Sequence, residues 1–190
     1  MSQTDKIRQI LKEGTDIDTI KRIAVFDFDG TLVDTPTPER GKVEYRRATG
    51  ESWPHKGWWG RSETLDMDIF KMPLISSVIS DYESERETAD TLVVMLTGRI
   101  QRLSHEVELI LATYGLRFDG YYYNNGGSTL DFKIGVLNRL LKEHPNVQSV
   151  ELWDDREPHV ISFRVFGDVL VKSGKLQSFN VTQVYGNHHI

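Results

Sequence analysis

Apolar residues fall along this chain in two alternating rhythms, and the alternation predicts an architecture. The run Arg22-Ile23-Ala24-Val25-Phe26-Asp27-Phe28 is continuous and rich in strand formers, and Asp29-Gly30 ends it. A second such run, Thr91 to Thr97, stops at Gly98 and gives way to the helical spacing of Ile100, Leu103, Val107, Ile110 and Leu111, closed by Gly115. Tyr121 to Tyr123 make a short third strand before the turn-rich Asn124-Asn125-Gly126-Gly127. A helix from about Thr129 carries Phe132, Val136, Leu137, Leu140 and Leu141 on one face, and Pro145 closes it. The fourth strand is Val150 to Trp153, a helix opened by Pro158 follows, and Val169 to Val171 suggests a fifth strand.

Strands alternating with helices of this length predict an α/β fold, a parallel sheet with helices on both faces that binds ligands at the carboxyl ends of its strands. Two segments break the rhythm. Ile7, Ile10 and Leu11, with Gly14 as a stop, predict a short helix over 4–13, so residues 1–21 are read as an N-terminal helical appendage. From Thr35 to Asp90 the chain carries Pro36, Pro38, Pro54 and Pro73 and the cluster Trp53, Trp58 and Trp59. Residues 35–90 are therefore read as a small cap inserted between core segments 22–34 and 91–190.

Composition narrows the function. A net charge of -5 argues against bulk electrostatic coating of nucleic acid, while leaving room for a local basic patch. With no cysteine, disulfides, thiolate metal sites and cysteine nucleophiles are excluded, so the chemistry falls to oxygen and nitrogen. No apolar run approaches a membrane span, and the polar, charged first residues do not read as a secretory signal, which sets the expectation of a cytoplasmic protein without membrane partners.

Asp27 and Asp29 stand two apart where the first strand ends, so both reach the ligand crevice while Gly30 permits a tight turn. Two carboxylates converging there repel, and a hard cation such as magnesium relieves the repulsion because it takes oxygen ligands and keeps waters and substrate phosphate. Two solvated aspartates in a turn are the plain alternative. Further polar residues stand at the same end of the fold, however. The second strand ends in Thr97, the helix after the third carries Lys133, and the fourth ends in Asp154-Asp155. Each alone has an ordinary structural reading, as a cap, a solvated helix face or a turn; in this order and together they do not.

In these four stretches the sequence resembles the haloacid dehalogenase (HAD) superfamily, whose motifs are a DxDGT signature, a hydrophobic strand ending in Thr or Ser, a Lys, and an acidic pair after a strand. The resemblance covers roughly residues 22–172. It implies an HAD-like Rossmannoid sheet and a phosphomonoester hydrolase. Asp27 would attack phosphorus and form an aspartyl phosphate, and Asp29 would protonate the leaving oxygen and later deprotonate water. Thr97 and Lys133 would hold the phosphoryl oxygens. Mg2+ would be held by Asp27, the backbone carbonyl of Asp29, and Asp154 or Asp155. Asp29 points to phosphate chemistry, because carbon-halogen cleavage in the superfamily lacks that second acid.

Local detail bears on the substrate. Thr97-Gly98-Arg99 and Asp154-Asp155-Arg156 place arginines suited to bidentate grip on phosphate beside the site, and both resemble the 3'-phosphatase domain of phage-type polynucleotide kinases. Gly57-Trp58-Trp59, Ser128-Thr129 with Phe132-Lys133, and Asp155-Arg156 with His159-Val160 and Phe163-Arg164 resemble the Swiss Army Knife RNA repair-like HAD domain. The resemblance implies a polynucleotide 3'-phosphate as substrate, with Gly98, Arg99, Arg156, Trp58 and Trp59 binding it. Between residues 40 and 61 of the insertion Arg40, Lys42, Arg46, Arg47, Lys56 and Arg61 outnumber Glu44 and Glu51 among tryptophans, which suits phosphate contacts and base stacking, and equally suits a small core with a basic solvent face. A small-molecule phosphatase for nucleotides or sugars, and a phosphate-end binding module or repair-complex subunit, are the competing readings. His55 and His159 are read as structural.

Overall fold

The computed structural model describes residues 19–186, so the helix expected over 4–13 and the pair His188 and His189 lie outside the described residues. Five strands, β1 Arg22–Phe26, β2 Thr91–Ile100, β3 Gly120–Asn124, β4 Ser149–Asp154 and β5 Ser178–Gln183, form one sheet in the order β3-β2-β1-β4-β5. Every neighbouring pair is parallel. Helices α1 Pro38–Thr49, α2 Ser76–Glu87, α3 Ser104–Thr113, α4 Thr129–Glu143 and α5 Glu157–Lys172 fill the connections. Among the described residues no helix is long and apolar enough to cross a membrane.

The two-residue period of the strands divides the core. Ala24 and Phe26 of β1 join Val93 and Met95 of β2 under α2 and α3, through Val78, Tyr82, Val107 and Ile110. Ile23 and Val25 join Val94, Leu96, Val150 and Leu152 under α4 and α5, through Val136, Leu137, Phe163 and Leu170. Helices therefore cover both faces. The chain runs from β1 outward through β2 to β3, then returns to the other side of β1 for β4 and β5. That reversal is a topological switch point, and it sets the ends of β1 and β4 side by side.

Two expectations need correction. Val169 to Val171 is the last part of α5 and not a strand. Leu170 is buried there while Val169 is 62% exposed, following the stripe Val160, Phe163, Gly167 and Leu170. The fifth strand is SFNVTQ at the sheet edge, whose polar alternation hides it. The second strand does not stop at Gly98: Thr97 pairs with Tyr123 and Ile100 with Asn124, so Gly98 and Arg99 bulge out between successive partners. Within the segment 35–90 the structure shows two surroundings. α2 lies in the layer that covers the sheet, with the Tyr82 ring 5.9 Å from that of Phe26. α1 and the Trp-rich stretch are tied to the loop after β1, where Arg40 forks onto the Asp34 carboxylate at 3.1 and 3.2 Å and Trp58 Nε1 donates to the Pro36 carbonyl at 2.9 Å.

Candidate active site

The backbone at the end of β1 is held by its neighbour, since Asp27 N–H donates to the Trp153 carbonyl of β4 at 3.0 Å. The chain then folds back through Gly30, whose φ of 67° suits glycine and whose N–H donates to the Val33 carbonyl at 2.8 Å. The missing side chain serves a second purpose, because a Cβ at Gly30 would collide with Asp155 Oδ2. Asp27, at the end of β1, and Asp154, at the end of β4, are thereby joined by Asp155 from above. One carboxylate oxygen of each lies within 4.8 Å of the others.

Lys133 comes from α4 and is 106 residues from Asp27. It sits one turn after Thr129, on the buried face that Val136, Leu137 and Leu140 continue, and only 3% of it is exposed. Its ammonium donates to Asp27 Oδ1 at 2.8 Å and to Asp154 Oδ2 at 2.6 Å. Burial alone would depress Lys133, but Asp27 and Asp154 outweigh it and hold the ammonium above its ordinary range, hence charged. Burial pushes the Asp27 carboxyl well up, with Asp154 and Asp155 adding to the effect and Lys133 opposing it. Asp155 is pushed up to about 6, first by burial and then by Asp154. Two of the three carboxylates bond the one ammonium, so the cluster carries more acidic groups than its own cation can balance. All-oxygen donors, crowded and under-neutralised, fit a hard divalent cation, which would reverse the upward shifts.

Asp29 faces another partner. Arg99, carried out of β2 by the bulge, donates from Nε to both Asp29 oxygens at 3.1 and 3.0 Å and from Nη2 at 2.7 Å, and Thr35 Oγ1 adds a bond of 2.7 Å. Its remaining nitrogen, Nη1, donates to the Trp59 carbonyl and to Thr64 Oγ1, both at 2.8 Å. The guanidinium lies 5.0 Å from the Trp59 ring centroid. Arg99 is 2% exposed, and every nitrogen of its guanidinium is engaged by protein. It orients Asp29 and anchors the loop that carries Trp59; it does not stand free to grip a phosphate.

These groups open onto a cavity of about 450 Å3. Of the residues singled out from sequence, Asp27, Asp29, Gly98, Arg99, Lys133, Asp154, Asp155, Arg156 and Trp59 line it. Arg156 is exposed and its backbone N–H donates to Asp154 Oδ1 at 2.9 Å. Thr97 is fully buried beneath the site, where its hydroxyl accepts from Arg99 N–H at 3.1 Å. Trp58 is not brought to the cavity; it is 4% exposed and packs so closely on Gly41 that a Cβ there would overlap its ring. His55 pairs with Glu63 at 3.0 Å, away from the cavity. His159 does reach the cavity wall; burial lowers its pKa, and its buried Nδ1 has no hydrogen-bond partner among the described residues. Thr37 and Thr129 also line the cavity; Thr37 went unnoticed in the sequence, and Thr129, noted only within the Ser128-Thr129 motif, was not assigned to the site although it precedes Lys133 by the four residues that put two side chains on one helix face.

A parallel sheet with this strand order and this acidic, lysine-bearing crevice at its switch point defines a haloacid dehalogenase-like protein. Residues 46–190 match the model of HAD domain family 1 in Swiss Army Knife RNA repair proteins, and the chain belongs to that family. An uncharacterised protein of Saccharomyces cerevisiae is 23% identical over 172 residues, covering 77% of this chain and 37% of its own length. Among solved structures, a chain of the Pnkp1/Rnl/Hen1 RNA repair complex superposes with a TM-score of 0.54 at 19% identity, over 89% of this chain and 44% of that one. A second structure of the Pnkp1/Rnl/Hen1 complex gives 0.53 at 20% identity, over 89% and 47%. The chain thus spans less than half the length of each of these relatives.

Proposed function

We propose that this chain is a magnesium-dependent phosphomonoester hydrolase that acts through an aspartyl phosphate on Asp27, with a 3'-phosphorylated nucleic-acid end as its substrate. The observation that carries the reading is the Asp27 carboxylate, buried at the cavity floor, fixed by Lys133 and surrounded by Asp29, Asp154 and Asp155. An Asp27 oxygen attacks phosphorus, the bond to the leaving oxygen breaks, and Asp29 delivers a proton to that oxygen. Asp29 then takes a proton from water as the water attacks the phosphoryl group, which releases phosphate and restores Asp27. Lys133, buried in the cavity wall, balances charge that grows on the phosphoryl oxygens, and Arg156, exposed at the rim, meets the incoming phosphate. Asp27, Asp154 and Asp155 would hold Mg2+, which supplies Lewis-acid neutralisation of the phosphate. The stretch 35–75 acts as the cap, presenting Trp59, which is 46% exposed, to whatever the phosphate is attached to.

The nucleic-acid end is supported by the RNA repair proteins that name the family and by the RNA repair complexes among the similar structures. The test is phosphate release with magnesium from an aryl phosphate, a sugar phosphate, a mononucleotide and a 3'-phosphorylated oligonucleotide, each beside Asp27→Asn. Release that vanishes in the variant and is fastest with the oligonucleotide supports the whole reading. Activity confined to the small substrates would replace the nucleic-acid end with a small-molecule phosphatase. Tight binding of phosphorylated ends without turnover would make the chain a binding module.

A further inference from the structure

Beyond the cavity, a second concave surface runs along α1, about 650 Å3 in volume, walled by Lys42, Val43, Arg46, Arg47, Trp53 and His55. Among the described residues no carboxylate lines it. Lys42, Arg46 and Arg47 are exposed, and among the described residues none of the three makes an ion pair, whereas the neighbouring Arg40 is engaged by Asp34 and Glu44. Two basic residues in the last turn of a helix have an ordinary account, favourable interaction with the helix dipole. That account does not reach Lys42 in mid-helix, nor explain why Trp53 forms the opposite wall. The Trp53 ring is fixed in place, its Nε1 donating to the Gly57 carbonyl at 3.1 Å and its ring lying 4.6 Å from that of Trp58.

We infer that this groove carries the single-stranded nucleic-acid chain that leads away from the active site, with Lys42, Arg46 and Arg47 on its phosphates and Trp53 beside its bases. The inference rests on the reading of the cavity as a site for a nucleic-acid end. Geometry connects the two: Thr37 lines the cavity and is also the N-cap of α1, so the helix starts at the site and extends from it. At about 1.5 Å per residue, Lys42 lies some 7 Å and Arg46 about 13 Å along the helix axis from Thr37. Lys42 and Arg46 are four apart and share a face, as do Val43 and Arg47, so the cations form a track and not a ring. Trp53 at the groove packs on buried Trp58, whose chain neighbour Trp59 lines the cavity, so one short stretch of chain serves both sites. A cationic track beside aromatic rings is the combination that binds single strands without sequence preference.

The test uses K42A/R46A/R47A in the whole chain. All three positions are exposed and alanine favours helix, so the fold should persist. Two readouts are taken: binding of a fluorescent single strand of about a dozen nucleotides with a 3'-hydroxyl, across a salt series, and phosphate release from an aryl phosphate. Each lost phosphate contact should flatten the slope of log affinity against log salt by about 0.7, so three should flatten it by about 2. Between about 50 and 200 mM salt the wild type should lose roughly 15-fold more affinity than the variant. Aryl phosphate release should be unchanged, and K42R/R46K/R47K should keep both affinity and slope. Equal affinity and equal slope in the alanine variant would overturn the inference. A wild type that binds the strand through these residues but leaves a 3'-phosphorylated strand uncleaved would support the groove and overturn the proposed substrate.

Discussion

Replacing Arg99 by methionine separates a strut from a substrate-binding residue. Methionine keeps much of the length and removes the charge, leaving the Asp29 carboxylate without its guanidinium and Thr64 Oγ1 and the Trp59 carbonyl without their donor. Breaking a buried pair by removing one partner costs about 3–5 kcal/mol. The Asp29 side chain is 19% exposed against 1% for Arg99, so water recovers part of the loss and about 3 kcal/mol is the expected figure. For a domain of this size that lowers the Tm by about 6–12 °C, measurable by circular dichroism on heating. Thr64→Val removes one bond of the same network and should cost about 1 kcal/mol, with less than additive loss in the double variant. Phosphate release should also fall, on the order of 100-fold, through a mispositioned Asp29, with KM for an aryl phosphate little changed. A Tm within about 2 °C of wild type together with a sharply raised KM would refute this and return Arg99 to the substrate.

Three other substitutions or conditions test separate parts of the structure. Gly30→Ala would push its Cβ into Asp155 Oδ2 at a φ of 67°, so divalent-cation affinity measured by calorimetry should drop at least tenfold; unchanged affinity would mean Asp155 is not a ligand. Gly167→Ala sets a Cβ against the Phe179 ring, displacing β5 from α5, and should cost about 1–3 kcal/mol in denaturant unfolding without altering cation affinity. The metal-free cluster should respond to pH. Because the Asp155 carboxyl is raised, its protonated form supports the folded state at low pH, and that support is lost as pH rises through about 6. The rise in Tm on adding magnesium should therefore be larger one unit above that pH than one unit below, and a rise independent of pH would contradict the upward shift.

What could be seen in the sequence was what repeats at short range or stands at a strand end. The continuous apolar run of β1 predicted a strand, the structure buries Ile23 and Val25 on one face and Ala24 and Phe26 on the other, and Asp27 and Asp29 beyond its end are in the crevice. Lys133 carried a local signal too, since it lies on the stripe that Val136, Leu137 and Leu140 bury, where a solvated lysine would not be. β5 was invisible because an edge strand of alternating polar residues needs no apolar run. Val169 to Val171 misled for the converse reason, as β-branched residues on the outer face of a helix imitate a strand.

Arg99 shows a different limit. Its position beside Thr97 was legible, but its direction depends on the register of β2 against β3, where two residues of one strand have no partner on the other. The same bulge gives the side chain two kinds of partner. Nε and Nη2 hold the acid Asp29, and Nη1 holds the loop of Trp59 and Thr64. Because a planar guanidinium cannot tilt toward one set without straining the other, the position of the loop over the cavity and the aim of Asp29 are fixed together.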